Sequence, residues 1–220
     1  MSQFTDKLVA QCSNELLIFH DGEKKEWMKD VYLEVGKYWN KLAEIPQYES
    51  WKGYNGRSDI KFGDNGEPVK NGNHNQPWSA AFISYVMAEA GAGEKFAYAP
   101  SHSVYIVKAL KDAAKSHSDA VFIARRHADY SPKVGDLIAC ERQPAINPNF
   151  DTYIDYVKQK KYEAHCDVVV EVRDNEVVTI GGNVSNSVHR KHWPLKNSRI
   201  GNFDPNSSTA AVICVIECRL

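Results

Sequence analysis

Apolar and polar residues follow two different periods along this chain, helical in the first half and strand-like in the second. Over Phe4 to Phe19, and again from about Lys24 to Ala43, apolar residues recur at helical spacing. In the second stretch Trp27, Val31, Leu33, Val35, Tyr38, Trp39 and Leu42 supply the apolar side. Residues 48–76 break this pattern with Gly, Asn and Asp (GYNGRSD, FGDNGEP, NGNHNQP), which predicts a long loop. Pro77 then opens a third helix, PWSAAFISYVMAEAGAG, because proline suits the first helical position and Gly91 and Gly93 suit the stop. A fourth helix is expected from about His102 to Ser116.

After that helix the period changes to two. Candidate strands lie at Ala120–Arg125, Asp136–Arg142, His165–Val172, Val177–Asn183, Ser187–His192 and Ala210–Cys218. Helices first and antiparallel strands after predict an α+β fold. Residues 1–47 read as an N-terminal helical extension and 48–220 as the main domain, with 48–76 leading into the third helix. A chain of 220 residues with 43% hydrophobic content is long enough to bury one such core.

Charge and cysteine usage narrow the function classes. The formal net charge of -1 gives no electrostatic footprint for nucleic acid or an anionic membrane surface. No apolar run reaches the length of a membrane span, and Met1 to His20 lacks the charged-then-apolar pattern of a secretory signal. The expectation is a protein made in the cytoplasm, with any action beyond it requiring another route. Cys12, Cys140, Cys166, Cys214 and Cys218 are odd in number and show no CxxC spacing, so neither a zinc site nor a disulfide framework is signalled. Alternation puts Val212, Cys214, Ile216 and Cys218 on one apolar strand face. No metal and no cofactor is expected: HExxH, P-loop and GxGxxG patterns are missing, and His189 and His192 fall on opposite faces of a strand.

Three segments carry candidate chemistry. Ser79 sits in the first turn of the third helix, where free N–H groups and the helix dipole favour developing negative charge; it reads either as a nucleophile or as a residue filling that turn. In AHCDVVVEV, alternation puts His165, Asp167, Val169 and Glu171 on one face and Cys166, Val168, Val170 and Val172 on the other. His165 is thus a candidate base with polar company, or a hydrogen-bonded structural histidine. In VVTIGGNVSNSV the glycine pair permits close backbone approach, and Asn183 either orients an imidazole or belongs to a plain turn. His102, at the start of the fourth helix, is a candidate substrate contact or alternative base, or else a residue beside a Ser101 cap. Trp78, next to the serine, is a further candidate substrate contact.

PWSAAFISYVMAEAG resembles the WCAAFVSW-type segment of papain-like cell-wall hydrolases of the CHAP and NlpC type. AHCDVVVEV and VTIGGNVSNSV resemble their histidine strand and the strand after it, and VGDLIACER their "GDL" strand. The segments come in the family's order, over roughly residues 75–192, and the closest likeness is to a bacterial branch without an assigned function. The resemblance implies a papain-like core with helices packed on an antiparallel sheet. It implies Ser79 in the nucleophile slot in place of cysteine, His165 as general base, Asn183 as orienter and Asp167 as reserve partner. It further implies an amidase or endopeptidase acting on peptidoglycan peptides in the periplasm or cell wall. Phage lysins and antibacterial effectors of type VI secretion systems are among such proteins, so an immunity or delivery protein is the partner class expected. A serine cannot be ionised by a helix dipole worth about 1 kcal/mol, and so must lose its proton to a histidine as it attacks. The alternatives are an inactive binding module of the same fold, or a hydrolase or transferase with a non-wall substrate.

Overall fold

The computed structural model describes residues 2–55, 60–62, 68–70, 76–115, 119–142, 149–159, 163–207 and 210–220. The first helix, α1 (Gln3–Ile18), begins where the Ser2 hydroxyl accepts the Thr5 N–H, and it buries Leu8, Cys12 and Leu16. α2 runs only over Tyr32–Leu42, shorter than the apolar spacing suggests. The intervening residues turn instead, with positive φ at His20, Asp21 and Gly22. The buried stripe of α2 is Tyr32, Val35, Tyr38, Trp39 and Leu42, a helical spacing that leaves Trp27 and Leu33 exposed rather than buried. The Tyr38 hydroxyl donates to Glu15 at 2.6 Å and so ties α2 to α1.

α3 (Ser79–Ala90) starts two residues after Pro77 and stops at Gly91, whose φ of 92° is the left-handed cap conformation that favours glycine. α4 spans His102–Ala114, and a short α5, Tyr153–Lys158, has no strong periodic signal in the sequence. Within the expected loop at 48–76, β1 (Ile60–Phe62) and β2 (Pro68–Lys70) pair antiparallel. Residues 56–59, 63–67 and 71–75 of that loop lie outside the described residues.

The main sheet contains β3 (Phe122–Arg125), β4 (Leu137–Glu141), β5 (Ala164–Val172), β6 (Glu176–Val184), β7 (Ser187–Lys196), β8 (Arg199–Ile200) and β9 (Val212–Cys218). Its order is β3-β9-β4-β5-β6-β7-β8, and every neighbouring pair is antiparallel. Helices packed on an antiparallel sheet make this a mixed α+β protein. One large core joins α1 and α2 (Leu8, Cys12, Val35, Trp39) to α3 (Phe82, Val86) and to the sheet (Cys166, Val168, Ile180). A smaller cluster, including Val169, Val177 and Trp193, covers the opposite face.

Strand β5 keeps the expected alternation: Cys166 and Val168 face the helices and Val169 faces away. β9 does not. A bulge opposite Ala139 and Cys140 shifts its register, so Val212 joins Val215 in the smaller cluster while Cys214 and Ile216 stay in the large one. All five cysteines are free thiols, and Cys12, Cys140, Cys166 and Cys214 are buried.

Candidate active site

The helix α3 begins at Ser79 without a capping bond from the side chain before it, and among the described residues no side chain bonds the N–H groups of its first turn. What fixes this start is the residue before it. The Trp78 indole is wholly buried, stacks against Phe19 with ring centroids 5.8 Å apart, tilts against Tyr38 at 5.6 Å, and donates its N–H to Glu26. Trp78 is therefore a core anchor and not the substrate contact expected from its position beside the serine. A large aromatic ring with a polar N–H is most stable here when the ring is packed and the N–H is paired.

Ser79 is itself buried, and its Oγ lies 2.7 Å from Nε2 of His102. His102 opens α4, and its other ring nitrogen, Nδ1, bonds the hydroxyl of Tyr105 one turn later. Ser101 makes no capping bond; its hydroxyl pairs with that of Ser103 at 2.9 Å. Two tautomers order this chain: with the imidazole proton on Nδ1, Ser79 O–H donates to Nε2 and Nδ1–H to the Tyr105 oxygen, and with it on Nε2 the ring donates to Ser79 and accepts from Tyr105 O–H. Burial, followed by the charges of His165 and Arg142, pushes the His102 pKa well below its ordinary value. The ring is therefore neutral near pH 7, and in the tautomer protonated on Nδ1 its Nε2 lone pair is directed at the serine.

His165 and Asp167 share a face of β5, as alternation requires, and His165 Nε2 stands 2.7 Å from Asp167 Oδ1. Lys191 of β7 reaches the other oxygen of Asp167 at 3.0 Å and Asp204 at 2.6 Å. Burial would raise the Asp167 carboxyl, but Lys191 and His165 hold it well below the usual carboxylate range. Burial would likewise lower the Lys191 ammonium, but Asp167 and Asp204 hold it above its ordinary value. For His165 burial prevails over Asp167, and the pKa is lowered. Its Nδ1 is buried and has no partner among the described residues.

The two imidazoles approach with ring centroids 5.4 Å apart. Ser79 nevertheless bonds His102, and no hydrogen bond joins it to His165, the base that the resemblance implies. Nor does Asn183 orient His165. It has a φ of 57° beside a register shift between β6 and β7, and its backbone carbonyl accepts from Arg142 Nη2 at 3.2 Å. The orienting contact comes from Asp167.

The glycine pair on β6 explains how the two halves fit. A Cβ on Gly181 would meet Asp167 Oδ1 at 1.7 Å and His165 Nε2 at 3.1 Å. A Cβ on Gly182 would meet Phe82 at 2.5 Å and Trp78 at 2.9 Å. One glycine makes room for the His165–Asp167 pair and the next for the start of α3.

Ser79 and His102 line a depression of about 430 Å³ together with Trp39, Trp51, Gln76 and Arg142. A second depression, of about 240 Å³, is bounded by His165, Lys191, Asp204 and again Arg142. Tyr105, Lys191, Arg142 and Asp204 had not been singled out from the sequence. Helical spacing from His102 points to Tyr105, whereas Lys191 becomes visible only through the β6–β7 register, in which it sits opposite Thr179. Among the described residues, no group of three or more His, Cys, Asp or Glu side chains is placed to hold a metal ion, and no helix is long and apolar enough to cross a membrane.

Fold and site together define an α+β protein with a buried serine–histidine pair at a helix start, flanked by a second, carboxylate-held histidine. The chain belongs to the bacterial family described as uncharacterized protein conserved in bacteria (DUF2272), whose model matches residues 26–208. Comparison with curated proteins and with solved structures gave no match.

Proposed function

We propose that this protein is a serine hydrolase of amide bonds with a papain-like core, acting on the peptides of peptidoglycan. The observation that carries the chemistry is the 2.7 Å contact between Ser79 Oγ and His102 Nε2. The substrate class rests on the resemblance of PWSAAF, GDL, AHCD and IGGN to cell-wall hydrolases. In attack, His102 Nε2 takes the Ser79 proton as Oγ bonds the substrate carbonyl carbon. The oxyanion is held by the uncapped N–H groups of the first turn of α3, aided by the helix dipole. His102 then returns the proton to the departing amine, leaving an acyl-serine. Water releases the acyl group by the same two proton transfers in reverse order. The negative charge of Asp167 reaches His102 and favours the imidazolium that forms in each half-reaction.

Digestion of purified peptidoglycan, followed by the release of free amines, tests this reading. Ser79→Ala and His102→Gln are each expected to lower the rate by at least about a thousandfold. Full activity in Ser79→Ala overturns it. Loss in His165→Gln with none in His102→Gln transfers the base role to His165.

A further inference from the structure

Arg142 occupies an unusual place for an arginine of this protein. It follows the last residue of β4 and borders both the Ser79–His102 depression and the His165–Lys191 depression. It also borders a third, of about 290 Å³, beside Asn183 and Glu26. Arg125, Arg126, Arg173, Arg190 and Arg219 each hold a carboxylate. Arg142 does not. Its one side-chain bond among the described residues is the 3.2 Å contact to the Asn183 carbonyl, which uses one of the five guanidinium N–H groups. The Arg142 N–H bonds the Glu163 carbonyl, and Glu163 lines the same depression without closing an ion pair with the guanidinium. One tip of the fork, Nη2, is thus tied to Asn183, while Nε and Nη1 have no hydrogen-bond partner among the described residues, and the residue borders the depression that holds Ser79.

A planar guanidinium with open donors matches one ligand chemistry best, a carboxylate held by two parallel hydrogen bonds. Resting on the hydrolase reading above, we propose that Arg142 is a substrate-binding residue that selects peptides bearing a free carboxylate near the bond to be cut. Such binding has a second effect. The Arg142 charge bears on both His102 and His165 and disfavours their protonation. A carboxylate docked on it cancels that repulsion and makes His102 a stronger base when substrate is in place.

The probe is the peptide mixture released from purified cell wall, used as it is and after conversion of its carboxyl groups to primary amides. Binding is measured by calorimetry on the full-length Ser79→Ala protein, so that the result does not depend on hydrolysis. The free-carboxylate peptides are expected to bind about ten- to a hundredfold more tightly than the amidated ones, the difference made by hydrogen bonds to a charged group. Arg142→Gln in the same background removes that preference, and Arg142→Lys restores part of it. Synthetic peptides amidated only at the terminus or only at the side chain show which carboxylate is read. Equal binding of free and amidated peptides, binding of neither, or a preference that survives Arg142→Gln overturns the proposal. Failure of the hydrolase reading shows separately, as wild-type protein that binds but does not release amines.

Discussion

In the proposed reaction the backbone and the side chain of Ser79 serve different parts. The residue's position at the helix start was legible from Pro77 and the apolar run after it, and so was the sharing of one strand face by His165 and Asp167. The partner of Ser79 was not, because His102 lies 23 residues away at the start of another helix and no periodicity relates the two. Tyr105, one turn along α4, is a positioning residue for His102. Tyr105→Phe removes the hydroxyl that holds Nδ1 and leaves the ring packed. We expect kcat to fall about tenfold with KM unchanged, the loss of one hydrogen bond at the base. Steady-state kinetics on a wall-derived peptide check this, and a matched rise in KM without loss of kcat counts against the role.

The elements most easily read from the sequence were those whose pattern is enforced by one buried face. β5 alternates as expected because one side meets the helices and the other meets the polar cluster around Lys191. α2 was overestimated at its start because Trp27 fits a helical spacing but belongs to a turn. β9 was misjudged at Val212 because a bulge has no signature in apolar residues that fill both faces. The β6 glycines show the opposite case, in which close approach was legible in the sequence and what approaches was not. Gly182→Ala presses a methyl group into Phe82 and is expected to destabilise the fold by about 1–3 kcal/mol. Gly201→Ala, where a Cβ meets nothing within 4 Å, should stay within about 0.5 kcal/mol of wild type. Urea denaturation compares the two, and equal midpoints would contradict the packing described.

On the scale of the whole molecule, the site places two neutral imidazoles inside the protein, and this ties stability to pH. Both His102 and His165 have folded-state pKa values below the ordinary one, with burial the largest cause. As pH falls below roughly 6.5, the unfolded chain binds protons that the folded protein refuses. Stability contributed by these residues is therefore present above that pH and lost as pH drops. Asp136 acts in the other direction: burial raises it to about 6, so the folded protein takes up a proton there and gains stability on acidification. Glu15, raised mainly by burial, acts in the same direction as Asp136, so the histidine contribution is read from pH 7.5 to 5.5 as the extra decline of the wild type over a variant that lacks one of the two imidazoles. Denaturation midpoints measured across this range in the wild type and in His102→Gln test it. The variant is expected to show a shallower decline, and an identical slope would contradict the burial of a neutral imidazole at 102.

The pairing of Ser79 with His102 is tested most directly by labelling. A fluorophosphonate reacts only with a serine whose proton is removed as it attacks, and peptide mass spectrometry locates the adduct. The expected result is an adduct on Ser79 in the wild type, and labelling slowed by at least about a hundredfold in His102→Gln, in line with the contribution of a general base. An unlabelled Ser79 in folded wild-type protein, or labelling of Ser79 that proceeds at the same rate in His102→Gln, would contradict the assignment.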